Sequence, residues 1–336
     1  MSITIICFLF AATLAAADGP RTPEGKPDFS GIYDLASITP LVRPAEFGTR
    51  LELTDAEAEA QAKKKDAAVA VGNRASDPNR QAPAQGRDVG SYNQLWFDNG
   101  TKPMNIGGKW RTSIITDPPD GRLPALTPKG KEIAARNALH NRSSGDAFWI
   151  TENLNPGPFD DPELRPLTER CLATFGTSAG PPMLPAGYNN LKQIVQTKDR
   201  ILILNEMIHD VRIIRMNAGH DPPEMRRWLG DSVGQWEGDT LVIDTTNFND
   251  TPGLFSASGN LHVVERLTRL DANTLSYKFT VEDPTVWTKP WSGEVSWPRT
   301  DQRIYEYACH EGNYSFTGIL KGARVLEAEA LKKHSK

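Results

Sequence analysis

Hydrophobic positions along this chain change period part-way through. From residue 191 onward β-branched and aromatic residues recur at every second position. The clearest case is Thr274-Leu275-Ser276-Tyr277-Lys278-Phe279-Thr280-Val281, which puts Leu275, Tyr277, Phe279 and Val281 on one face. The same reading predicts strands over residues 191–197, 201–216, 235–246, 261–270, 274–282, 293–298 and 302–308. Turn residues joint them at Lys198-Asp199, Glu237-Gly238-Asp239 and Asp271-Ala272-Asn273. Short connections make sequential strands pair, so the expected class is mainly β: an antiparallel meander that closes as a barrel or a strongly curled sheet.

The first half reads differently. A Pro- and Gly-rich arm over 19–30 leads into a short strand, Gly31-Ile32-Tyr33-Asp34. Thr54 followed by Glu57 is a capping box, and Ala, Glu, Lys and Gln carry a polar surface helix to about Val71. Residues 72–90 read as a long loop, and the aromatic run Tyr92-Asn93-Gln94-Leu95-Trp96-Phe97 has the weight to dock it. A strand over 110–116 ends at Asp117-Pro118-Pro119-Asp120-Gly121, and a second helix starts at Thr127 with Pro128 in its first turn. Seven prolines between 156 and 185 forbid long regular elements there. Long loops inside an ordered domain serve as lids or binding walls. The tail over 324–333 is rich in alanine, glutamate and lysine and predicts a C-terminal surface helix.

The expected organisation is thus a leader over 1–17 and a single domain over 18–336. Within the domain, 18–190 forms a loop- and helix-rich cover, 191–316 an antiparallel β core, and 317–336 the C-terminal helix. The leader, MSITIICFLFAATLAAA, is uncharged, apolar from Ile5 to Leu14 and ends in a small-residue cleavage pattern, too short to span a bilayer. It predicts a secreted or periplasmic protein. Cleavage would leave Cys171 and Cys309 as the only cysteines, and in an oxidising compartment they pair as a disulfide, with two buried thiols as the alternative. A net charge of −4 gives a nucleic-acid or anionic-membrane partner no electrostatic basis.

Candidate chemistry concentrates where the apolar run over 193–217 is interrupted by Asn205-Glu206-Met207-Ile208-His209-Asp210-Val211-Arg212. On one continuous strand Glu206, Asp210 and Arg212 share a face, while Asn205 and His209 share the other. Glu206, flanked by Leu204 and Ile208, or His209 would act as base. Arg212 would keep Asp210 ionised and hold an anionic group. The alternative is a structural ion pair of Asp210 with Arg212 beside a hydrogen-bonded Glu206. A second constellation, Tyr305-Glu306-Tyr307-Ala308-Cys309-His310-Glu311-Gly312-Asn313-Tyr314, offers Tyr307 or His310 as acid, with Glu311, Asn313, Asn205 and Tyr188 as substrate contacts. Its alternative is hydrogen bonding that closes the sheet. Trp228 and Trp236 read as packing around hairpins, and His220 sits in a loop. No dinucleotide fingerprint, P-loop, HExxH, GxSxG or zinc-type cysteine spacing occurs. No cofactor is therefore expected, although His209, His310, Glu206 and Glu311 have the composition of a metal site.

The segments PLTERC, AGPPMLPAGYNN, QIVQTKDRILILNEMIHDVRII, WLGDSVGQWEGDTLVIDTTNF and YEYACHEGNY resemble a family of exported proteins common in soil bacteria. The resemblance runs from Trp110 onward and implies export. The β-meander is also similar in pattern to lipocalin-like barrels, a likeness of fold that does not fix function. The reading that follows is an exported, cofactor-independent lyase or isomerase doing acid/base chemistry on a small aromatic or apolar compound. The alternatives are a non-catalytic binding barrel for an apolar ligand and a metal-dependent hydrolase.

Overall fold

The computed structural model describes residues 19–75, 77–81, 97–142, 144–173, 178–251 and 253–334. The expected leader and the aromatic run from Tyr92 to Trp96 lie outside the described residues. The strands are β1 (Gly31–Asp34), β2 (Glu52–Leu53), β3 (Asn105–Ile106), β4 (Lys109–Arg111), β5 (Ile115–Asp117), β6 (Leu191–Gln196), β7 (Arg200–Asn205), β8 (Val211–Met216), β9 (Asp231–Glu237), β10 (Thr240–Thr246), β11 (His262–Asp271), β12 (Thr274–Glu282) and β13 (Trp291–Thr300). The helices are α1 (Asp55–Gly72), α2 (Pro128–Ala138), α3 (Phe148–Thr151), α4 (Cys309–Gly312) and α5 (Tyr314–His334).

Nine strands close a ring in the order β1-β6-β7-β8-β9-β10-β11-β12-β13, with β1 pairing back onto β13. The mainly β, closed-barrel class is what the alternation predicts. Two details depart from a pure meander. β8 and β9 run parallel, joined by a crossover over 217–230, and the N-terminal β1 is inserted between β6 and β13. The barrel therefore draws on both halves of the chain. β5 adds itself to the outer edge of β13, and β2, β4 and β3 make a small separate sheet. The expected single strand over 110–116 is thereby split between β4 and β5.

The inward face follows the predicted alternation. Leu275, Tyr277, Phe279 and Val281 are all buried, facing Val263 and Leu267 of β11, Ile201 and Ile203 of β7, and Trp291, Val295 and Trp297 of β13. Gly293 has its place in β13 because a Cβ there would stand 2.4 Å from the Phe279 ring. A second apolar cluster sits outside the barrel, where Ala323 and Ala330 of α5 pack on Phe148, Trp149 and Phe159. Trp149 ties the two together by donating its indole N–H to Glu327 at 2.7 Å. α1 starts on the expected capping box, Thr54 with Glu57, and buries only Ala58 and Ala62.

Three predicted strands need correction. Residues 235–246 form a hairpin, β9 turning into β10 at Gly238-Asp239, with Thr240 opposite Glu237. Residues 201–216 do not form one strand, because the chain reverses between Glu206 and Asp210 and β7 pairs back on β8, with Ile203 opposite Arg212. The reversal is made by Ile208 and His209, both in the left-handed region at φ 63° and 57°. Residues 302–308 form no strand. Both edges of β13 are already occupied, by β12 on one side and by β1 and β5 on the other, so the chain leaves the barrel after Thr300.

Candidate functional site

The polar interruption divides into two environments that alternation on one strand does not anticipate. Arg212 points into the barrel. Its guanidinium donates to Glu265 on β11 through both terminal nitrogens, one at 2.7 Å, and also to Thr245 at 2.7 Å and Ser232 at 3.0 Å. Tyr277 donates its hydroxyl to the same Glu265 carboxylate at 2.6 Å and accepts the backbone N–H of Met183. Arg212 is 2% exposed and Glu265 0%, so the expected Asp210–Arg212 pair does not exist and Arg212 reaches no surface ligand. The signal for its true partner was a glutamate at an inward position of the apolar run Val263-Glu265-Leu267: a buried arginine needs a buried carboxylate.

Glu206 is also buried, at 6% exposure, and accepts the backbone N–H of Leu191 at 3.3 Å. Its charge faces Lys192, an inward residue of β6 that is 0% exposed and whose Nζ has no hydrogen-bond partner among the described residues. Burial, opposed only in part by Glu206 and Asp34, pushes the Lys192 amine down to about 7. Asn205 lies beside Lys192 in register and supports the turn, donating to the Asp210 backbone carbonyl from both its main chain (2.8 Å) and its side chain (3.2 Å).

The residues between them face outward. His209 and Asp210 join Ile208 in one wall of a cleft of about 750 Å³ beside the barrel. The segment from Glu306 to Glu311, Cys171, Leu172 and Trp228 of the β8–β9 crossover line the rest of it. Three contacts hold that segment: the expected Cys171–Cys309 disulfide, an Asn313 side-chain bond to the Glu169 carbonyl at 2.7 Å, and the Tyr307 backbone N–H, which donates to His209 Nδ1 at 2.9 Å. The cleft thus brings together His209, Asp210, Tyr307, His310 and Glu311 from two distant stretches. Glu206, Arg212 and Asn205 do not line it, and Tyr188 packs edge-on against Phe97. Trp228 was read from sequence as hairpin packing; nothing in its spacing shows that the crossover swings it to the cleft.

The chemistry follows from who is already partnered. Because Nδ1 of His209 accepts a backbone N–H, its neutral ring carries its proton on Nε2 and offers a donor there. Asp210 is half-buried, with no hydrogen bond or ion pair to its carboxylate among the described residues, and burial raises it above the usual carboxylate range. A neutral imidazole donor next to a desolvated, unpaired carboxylate is a donor and base pair. Of the two expected bases, Glu206 and His209, only His209 lines the cleft.

Neither protein-family models nor curated proteins match this chain.

Among the described residues no group of three or more His, Cys, Asp or Glu side chains is arranged to hold a metal ion, and no helix is long and apolar enough to cross a membrane. A smaller cavity of about 310 Å³ between His140 and α5 has its two arginines engaged, Arg142 with Glu152 and Arg165 with Glu169.

Proposed function

We propose that the cleft is the active site of an exported, cofactor-independent enzyme, a lyase or isomerase, that moves a proton on a small aromatic compound bearing a carbonyl or phenolic oxygen. The observation that carries this reading is the Tyr307 N–H to His209 Nδ1 bond, because it leaves Nε2–H as a fixed donor beside the unpaired Asp210. In the proposed reaction the substrate ring lies between Trp228 and Tyr307. His209 Nε2–H hydrogen-bonds the substrate oxygen as negative charge develops on it, and the Asp210 carboxylate takes the proton from the adjacent carbon. His310 and Glu311 at the rim supply polar contacts. The disulfide fits an oxidising compartment, which supports export.

The test uses acetophenone and related aryl ketones in deuterated water, following exchange of the α-protons by NMR. Wild type is expected to accelerate exchange, and Asp210→Asn to lower the rate by about 10²–10⁴-fold, the usual contribution of a positioned base. Equal rates in wild type and Asp210→Asn would remove Asp210 from the mechanism. A second reading, a non-catalytic binding cleft, is favoured by the exposure of His209, since a wet site weakens proton transfer. Saturable binding with no exchange above buffer would select it.

A further inference from the structure

His220 lies in the crossover between β8 and β9, on the outer wall of the barrel, and both of its ring nitrogens meet carboxylates. Nδ1 is 3.0 Å from Asp231 Oδ2 on β9 and Nε2 is 3.0 Å from Asp244 Oδ1 on β10. A carboxylate only accepts, and a neutral imidazole has one N–H, so both bonds exist together only when the ring is the doubly protonated cation. The crossover is then clamped to two strands at once.

The clamp is wired to the cleft. Asp231, 4% exposed, is held by Arg215 of β8 at 2.9 Å through both oxygens, by the Asp221 backbone N–H at 2.8 Å, and by Arg227 at 3.3 Å. Arg227 also binds Asp221 at 2.6 Å, and its chain neighbour is Trp228, which lines the cleft. On the other side Asp244 is shared with His262 of β11, whose second nitrogen is 3.9 Å from Glu282 of β12. These are the charged groups that face the imidazole from β8 to β12.

We propose that His220 is a positioning residue whose protonated ring fixes the crossover and sets Trp228 as a wall of the cleft, so that aromatic ligands are held when His220 is charged and released when it is neutral. The part concerning ligands rests on the cleft reading above; the clamp itself does not. The two carboxylate ends of the clamp sit among further charged partners. Despite burial, the Asp221 N–H, His220 and Arg215 hold Asp231 below the usual range. The hydrogen bond to Asp244 raises His262. Because both bonds need the second ring proton, the clamp closes in acid and opens as the medium turns alkaline.

The experiment is hydrogen–deuterium exchange of the full chain between pH 5.5 and 8.5, expressed as protection factors so that base catalysis of exchange divides out. Amides of residues 217–230 in wild type should lose protection about tenfold across that range, the scale of one charge-assisted hydrogen bond. His220→Gln and Asp244→Asn should each flatten the step while barrel amides keep their protection. A step that persists in both variants, a wild type with no step, or protection that vanishes on adding a chelator would each overturn the clamp, the last by assigning the site to a metal ion. In parallel, the affinity of acetophenone, which does not titrate in this range, should fall about tenfold with the same midpoint in wild type only. A protection step accompanied by no acetophenone binding at any pH would leave the clamp standing and remove the cleft reading.

Discussion

Arg212 and Asp210 are separated by one residue, yet they occupy opposite kinds of environment. Arg212 lies inside the barrel, where the guanidinium and its Glu265 partner are engaged by one another and by Ser232, Thr245 and Tyr277. Asp210 lies outside on a turn with unfavourable backbone angles, its carboxylate desolvated and unpaired. A satisfied buried network rigidifies a core, whereas an unsatisfied, half-open group is available to a ligand. The difference teaches that charge density alone does not leave a group open to a ligand; unspent hydrogen-bonding capacity does.

The comparison breaks most visibly at Glu265. Glu265→Ala leaves Arg212 buried without its counter-charge, and the barrel should lose about 3–5 kcal/mol in urea unfolding. A loss under about 1 kcal/mol would mean that the network is not the barrel's anchor. The cleft, by contrast, is held covalently. Cys309→Ser should cost about 2–4 kcal/mol and free the amides of residues 306–313 to exchange while β-strand amides stay protected. Uniform loss of protection throughout the chain would show that the disulfide supports the barrel as well as the wall.

Lys192 is the exception inside the barrel, a buried amine without a hydrogen-bond partner among the described residues. Its folded value of about 7 lies below its unfolded value of 10.5, so the unfolded chain binds the extra proton between those two values. Stability should therefore rise with pH from about 7 toward 10.5, and below 7 the full cost of burying the charge is present. Lys192→Met removes that cost and should stabilise the protein by about 1–4 kcal/mol at pH 6, with a smaller gain at pH 10. Destabilisation at pH 6 would mean that Lys192 makes a favourable charge pair with Glu206.

Much of the barrel was legible because a half-buried sheet imposes a period of two, which β12 follows from Tyr277 to Glu282. The disulfide was legible by cysteine count, and the two polar stretches 205–212 and 305–314 were legible as candidates, of which Ile208 to Asp210 and Glu306 to Glu311 meet in the cleft. What was not legible depends on distant geometry. Ile208, a β-branched residue, gives no local hint of a left-handed turn, so the strand was read through it and Arg212 was placed with Asp210. The parallel β8–β9 pair and the position of Trp228 arise from the crossover path, and the vacancy after Thr300 exists only because β1 and β5 fill the edge of β13.

The smallest expected effect is the most informative about the turn. Ile208 at φ 63° stores strain on the order of 1–3 kcal/mol, since a branched side chain is disfavoured in that region. Ile208→Gly relieves it, while the added chain freedom of glycine in the unfolded state offsets part of the gain. The net expectation is a stabilisation of about 1 kcal/mol or less in urea unfolding. If the strain is what holds His209 Nδ1 against the Tyr307 N–H, the same variant should also loosen that bond, read as faster exchange of the Tyr307 amide. A variant that gains stability while Tyr307 stays protected would mean that the disulfide-bound wall, rather than the turn, orients His209. A variant that loses stability would mean that the Ile208 side chain packs the cleft wall more than its backbone strains it.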